Sequence, residues 1–180
     1  MRRKVLESER LLLKHLSLND LVHIKENEID NIEPRIDLEA ISYSVKLAIT
    51  KKLEKMKNIS EDTQKWYTYW LIINKENQIG VGFIGFKGLL SENGYAEVGY
   101  SISPNYRRHR LMTEALETLI IWAHGFRECR GIIARVSKGN IGSNKILNNC
   151  NFKVDSSTEQ EKNYILEFRR DTDDNQGEKS

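Results

Sequence analysis

Residues 104–126, PNYRRHRLMTEALETLIIWAHGF, read as a basic loop running into an amphipathic helix. Met112, Ala115, Leu116, Leu119, Ile120, Ala123 and Phe126 recur at helical spacing and form a single apolar stripe, so one face of this helix is buried. Its beginning is unusual. Arg107, Arg108, His109 and Arg110 crowd the helix end that carries positive partial charge and unpaired N–H groups, where cations are disfavoured. An anion seated in that turn, most naturally a phosphate group, removes the conflict.

Immediately upstream, residues 95–102 (YAEVGYSI) alternate as a strand does, with Val98, Tyr100 and Ile102 on one face and Glu97, Gly99 and Ser101 on the other. Residues 66–74 and 78–87 also have strand composition, and the polar break Lys75-Glu76-Asn77 predicts a hairpin between them. Together these make an antiparallel meander. Downstream, residues 131–136 (GIIARV) predict a strand parallel to 95–102, because strand, crossover helix and strand form a βαβ unit. A short helix follows over 140–149, with Asn151 in the left-handed position just past its end. The chain returns through Phe152-Lys153-Val154 to a last strand at 164–168, and residues 171–180 are too polar to pack and read as a disordered tail.

Toward the N-terminus, residues 8–16 predict a first strand with Leu11 and Leu13 on one face. Ser17, Asn19 and Asp20 offer capping side chains for a short helix. After Pro34, Ile41, Val45, Ala48, Ile49, Leu53 and Met56 predict a longer helix, whose lysines at 46, 51, 52, 55 and 57 form a solvated face. Trp66, Tyr67, Tyr69 and Trp70 are sheet packing.

A chain of 180 residues suits one domain, placed at 1–170. Charged residues at 30% and hydrophobic ones at 39% fit an ordinary globular protein, and a net charge of +2 gives no case for general nucleic-acid binding. A role on RNA through the local basic patches is a weaker reading that salt-dependent binding would mark. Cys129 and Cys150 share no metal or redox spacing and are taken as reduced, and the four histidines offer no metal site. No window approaches the apolar length needed to span a membrane, so the cytoplasm is the expected location. Ten of the eleven glycines lie between Gly80 and Gly142, which marks that region for turns or close backbone approach.

With these segments in place, the chain resembles the GNAT superfamily of N-acetyltransferases, especially its branch similar to ribosomal-protein N-terminal acetyltransferases. The likeness runs from about Arg10 to Phe168 and is carried by ERLLLKHLSLNDL, by QIGVGFIGF with YAEVGYSISPNY, by YRRHRLMTEAL and by NIGSNKILNNCNF, in the family's order and spacing. The resemblance implies a mixed α/β fold: a mostly antiparallel sheet of about six or seven strands, splayed in the middle and flanked by about four helices. It implies acetyl-CoA as co-substrate, its pantetheine against backbone groups near Ser101 and Ile102. The pyrophosphate would lie on the turn formed by Arg107, Arg108, His109, Arg110, Leu111, Met112 and Thr113. Asn140 and Ser143 would lie near the thioester and pantetheine.

Acyl transfer to an amine needs a free-base nucleophile, a polarised carbonyl and a proton for the leaving thiolate. Glu97 is the candidate to accept the amine's proton, directly or through water, and Ser143 the candidate donor to sulfur, with Tyr100 less favoured. The acceptor would be a primary amine, on a protein N-terminus or a small molecule. The family pattern places small residues where this chain has Arg110 and Met112. A non-catalytic acyl-CoA-binding or protein-interaction module on the same scaffold is therefore the alternative. The oligomeric state stays open, a homodimer among the options.

Overall fold

Polar turns divide residues 4–170, which the computed structural model describes, into eight strands and five α-helices. The order is β1 (Val5–Glu7), β2 (Leu11–His15), α1 (Leu18–Lys25), α2 (Tyr43–Met56), α3 (Glu61–Gln64), β3 (Trp70–Asn74), β4 (Ile79–Phe86) and β5 (Tyr95–Ile102). Then come α4 (Leu111–His124), β6 (Gly131–Ser137), α5 (Ile141–Asn149), β7 (Lys153–Ser157) and β8 (Glu161–Glu167). The strands form one sheet in the order β1-β2-β3-β4-β5-β6-β8-β7. All neighbours are antiparallel except β5 and β6, the two strands joined by α4, which run parallel as the βαβ pattern requires. The expected disordered tail at 171–180 lies outside the described residues.

The sheet is splayed at that parallel junction. Tyr95, Ala96 and Glu97 pair with Gly131, Ile132 and Ile133, and the pairing stops there. Beyond it β5 keeps β4 as far as Ile102, while β6 keeps β8 as far as Ser137, so a fork opens between the two inner edges.

Each face of the sheet has its own apolar layer. The stripe of α4 buries Met112, Ala115, Leu116, Leu119 and Ala123 against Ile72, Val81, Ile84, Val98, Ile132 and Ala134. On the other face α1 and α2 bury Leu21, Ile24, Val45, Ile49 and Met56 against Leu71, Ile73 and Phe83. Helix starts follow the capping rules. Ser17 and Asp20 form a reciprocal capping box at α1, and the Ser42 hydroxyl accepts from the Val45 N–H at α2.

Several elements differ from the sequence expectation. The first strand begins at Leu11, and a separate strand, β1, precedes it, because Ser8, Glu9 and Arg10 form a turn in which the Ser8 N–H donates to the Leu11 carbonyl at 3.0 Å. Residues 66–69 are not strand. They continue the turns that end α3, and the Trp66 ring packs among Phe86, Trp122 and Phe126. The last strand starts earlier, at Glu161, and forms a hairpin with β7, whose residues are all exposed and so give no apolar alternation to read. Asn151 is left-handed, at φ 64°, as its place after α5 predicts.

Lys52 also departs from the expected solvated face. It is 6% exposed, its Nζ donates to the carbonyls of Tyr67 at 2.8 Å and Phe86 at 2.7 Å, and it stands 4.2 Å over the Tyr69 ring. Burial, with the charges of Lys55 and Lys87, pushes its pKa down to about 7.

Candidate functional site

The loop between β5 and α4 presents an array of backbone donors. Arg108 and Arg110 are both left-handed, at φ 67° and 60°, and Arg110 is the N-cap of α4 without any side-chain cap. Among the described residues, no acceptor pairs with the N–H groups from 108 to 113. Left-handed residues alternating with ordinary ones turn successive N–H groups into a concave nest, and the helix dipole adds to its positive potential. The side chains of Arg107, Arg108 and Arg110 are exposed and make no hydrogen bond or ion pair with a described residue. Arg110 therefore keeps the backbone conformation that glycine favours while its side chain points to solvent.

This loop is fastened from behind. The Arg10 guanidinium bonds Glu114 in the first turn of α4 through Nε at 2.7 Å and the His109 carbonyl through a terminal nitrogen at 3.0 Å. Glu114 also accepts from the Arg10 N–H and the Ser8 hydroxyl. Burial raises the Glu114 pKa, but these bonds and the Arg10 charge outweigh it, and the carboxyl lies below its usual range. Neither Arg10 nor Glu114 was legible as a site residue. Glu114 was visible as an acid in the first turn of a helix, but its partner is 104 residues away.

Along the fork, hydrogen-bond alternation decides which backbone groups are available. The Ser103 N–H donates to the Val81 carbonyl and the Lys87 N–H to the Glu97 carbonyl, both at 2.8 Å. Odd-numbered residues of β5 thus pair with β4, and beyond the junction the N–H and C=O groups of Tyr100 and Ile102 face the fork. Ser101 stands between them with its own backbone committed to β4.

Asn140, Ser143 and Tyr100 meet at the start of α5. The Asn140 side chain caps the helix by accepting from the Ser143 N–H at 3.0 Å, and the Tyr100 hydroxyl donates to the Ser143 carbonyl at 3.4 Å. The Ser143 hydroxyl has no partner among the described residues and is half-buried. Tyr164 donates to Asn144 at 2.7 Å, and Asn144 donates to the carbonyls of Ser137 and Asn140, which ties α5 to β6 and β8. Burial pushes the Tyr100 hydroxyl up to about 12, so it is protonated at neutral pH.

Glu97 is not part of that group. It projects from the opposite sheet face, at the last pair before the fork opens, and is held by Lys87 Nζ at 2.6 Å and by Arg135 at 3.0 Å. Burial raises its pKa, but the hydrogen bonds and charges of Arg135 and Lys87 prevail and hold it below the usual carboxylate value. The fork is thus flanked by an ionised carboxylate on one face and by neutral hydroxyls on the other.

The sheet is thus opened at its one parallel junction, with unpaired backbone N–H groups at the mouth, an arrangement suited to an anion, and dissociable groups on both faces of the fork. The chain belongs to the GNAT acetyltransferases: the family model described as acetyltransferase (GNAT) domain matches residues 10–153. It is 32% identical over 107 residues to the uncharacterized N-acetyltransferase YjdG of Bacillus subtilis (strain 168), a match covering 59% of this chain and 64% of that one. It is 27% identical over 157 residues to the uncharacterized N-acetyltransferase p20 of Bacillus licheniformis, covering 83% of each. Among solved structures, RimL, a ribosomal L7/L12 alpha-N-protein acetyltransferase in complex with coenzyme A, superposes with a TM-score of 0.65 at 12% identity, over 91% of this chain and 97% of that one. Among the described residues no helix is long and apolar enough to cross a membrane.

Proposed function

We propose that this protein is an acetyl-CoA-dependent N-acetyltransferase that passes the acetyl group directly to a primary amine within a ternary complex. The observation that carries this reading is the run of unpaired N–H groups from 108 to 113, ringed by three exposed arginines at the mouth of the fork. Diphosphate oxygens match that array in charge and supply acceptors for its N–H groups. The amide groups of Tyr100 and Ile102 would pair with the pantetheine, and Ser101, Asn140 and Ser143 would border it. A protein N-terminus is the first acceptor to try, because RimL acts on one, and small-molecule amines are the second.

In the reaction a C–N bond forms to the amine, the C–S bond breaks, and one proton leaves the amine while another reaches the thiolate. Glu97 serves the amine side. Its lowered pKa suits an ionised anchor for the ammonium and for a water that relays its proton, rather than a base titrating near neutrality. Ser143, or the neutral Tyr100 hydroxyl beside it, serves the sulfur.

Calorimetric titration with acetyl-CoA, followed by turnover on a panel of peptide N-termini and small amines, tests the proposal. Micromolar binding, about −8 kcal/mol, with turnover of at least one amine is the expected result. Binding with no turnover on any amine would favour the non-catalytic module, and no binding at millimolar acetyl-CoA would falsify the cofactor assignment. Glu97→Gln should lower kcat/KM by about a hundredfold. Of Ser143→Ala and Tyr100→Phe, the one that cuts kcat while leaving acetyl-CoA affinity intact identifies the donor.

A further inference from the structure

The apolar layer under α1 and α2 draws on β3 and β4 and takes no residue from β5, β6 or β8. The same sheet face is therefore open at the fork. Gly99 makes its floor: beyond its chain neighbours, a β-carbon there would meet a single atom within contact distance, Lys87 Cε at 3.5 Å, so bare backbone lies between Glu97 and Ser101. A glycine at such a place lets a ligand come close to the strand.

What borders that opening is positive. Lys87 Nζ donates to Glu97 Oε1 at 2.6 Å, and Arg135 donates to the same oxygen through Nε at 3.3 Å and to Oε2 through Nη2 at 3.0 Å. Among the described residues Arg135 is the only donor on Oε2. The Glu97 side chain is 15% exposed, against 49% for Lys87 and 60% for Arg135, so the carboxylate is screened by the cations that hold it. Lys55 of α2 adds a third positive group, its Nζ donating to the Lys87 carbonyl at 3.1 Å. Glu161 reaches Arg135 through its charge alone. An ammonium arriving by itself therefore meets more positive charge than negative, which disfavours it. A zwitterion does not carry that handicap.

We infer that the acceptor carries a carboxylate within about one residue of its reacting amine, and that Arg135 is the specificity-determining residue that receives it. The inference rests on the acetyltransferase reading and names its substrate class. The mechanism is an exchange of partners. The incoming carboxylate takes the planar guanidinium in a two-bond contact, Arg135 leaves Glu97 Oε2, and that oxygen accepts from the incoming ammonium while Lys87 stays on Oε1. The carboxylate belongs either to an acidic second residue of a peptide N-terminus or to the α-carboxyl of a free amino acid.

Steady-state transfer by the full chain at saturating acetyl-CoA tests this with matched acceptors: peptides that differ only by Asp or Asn at the second position, and free amino acids against their amides. The acid-bearing member should have a kcat/KM about tenfold higher than its neutral partner, mostly through KM. A preference confined to the peptides assigns the carboxylate to a side chain, and one confined to the amino acids assigns it to the α-carboxyl. Arg135→Ala should abolish most of the preference, Arg135→Lys should restore part of it, and Arg135→Glu should turn it toward a peptide with Lys at the second position. A merely structural role for Arg135 would lower both members of a pair alike and leave their ratio unchanged. Equal turnover of acid-bearing and neutral acceptors overturns the inference and leaves the transferase standing. A wild-type preference kept by Arg135→Ala also overturns it. Acetyl-CoA binding without turnover of any acceptor overturns the transferase reading and this inference together.

Discussion

Arg110 sits where a β-carbon crowds the following carbonyl oxygen, a conformation that costs a residue other than glycine about 1–2 kcal/mol. Arg108 accepts the same cost two residues earlier. Strain of this kind persists where the surroundings enforce it, and here the enforcement comes from Arg10 on the His109 carbonyl and from the first turn of α4. Arg110→Gly should leave the melting temperature nearly unchanged, since relief of the strain is offset by the greater freedom of glycine in the unfolded chain. Acetyl-CoA affinity in the same variant should fall about tenfold through loss of a charge-assisted bond. Parallel melts and titrations separate the two effects, and a gain in affinity would show that the side chain obstructs the nest. This residue was legible in advance, because an arginine cluster at a positive helix end is a conflict readable from residue types alone. It could not reveal Lys52, whose burial depends on carbonyls 15 and 34 residues away.

At the scale of elements, α4 organises the site from both ends. Its first turn is fastened through Glu114, and its last carbonyl is gathered with those of the following turn by Arg170, whose guanidinium donates to His124 and Cys129 at 3.1 Å and to Phe126. Arg10→Ala should raise the acetyl-CoA dissociation constant several-fold while costing about 1 kcal/mol of stability, because the pair is partly exposed. Arg170→Ala should cost about 1–2 kcal/mol without touching affinity, since its bonds lie at the far end of the helix. Leu119→Ala, by contrast, empties a fully buried position and should cost about 2–5 kcal/mol in denaturant unfolding. The helix, the β3–β4 hairpin and the parallel return were legible because each follows a local period. The β7–β8 hairpin was not, since a strand exposed on both faces has no period to show. Nor were the Arg10–Glu114 and Asp37–Ser103 links, which join residues 104 and 66 positions apart and leave no trace in spacing.

For the whole molecule, the shifted groups set the shape of stability against pH. Glu97, Glu114 and Asp37 titrate lower in the folded chain than in the unfolded one, so they stabilise above the ordinary carboxylate range, and that contribution is lost as pH falls through their folded values. Lys52 acts in the opposite direction. With its pKa lowered from 10.5 to about 7, the unfolded chain binds the extra proton between those values, and stability should climb as pH rises through that window. Urea unfolding of Lys52→Met across the same range should show the climb flattened. The fork has a mechanical side as well. Three residue pairs make a butt joint between two half-sheets, and α4 lies across it as a splint, packed on β1, β2, β4 and β5 to one side and on β6 and α5 to the other. A load that pries the half-sheets apart must lift that splint before it can open the joint, and the Arg10–Glu114 bond pins the splint at its first turn.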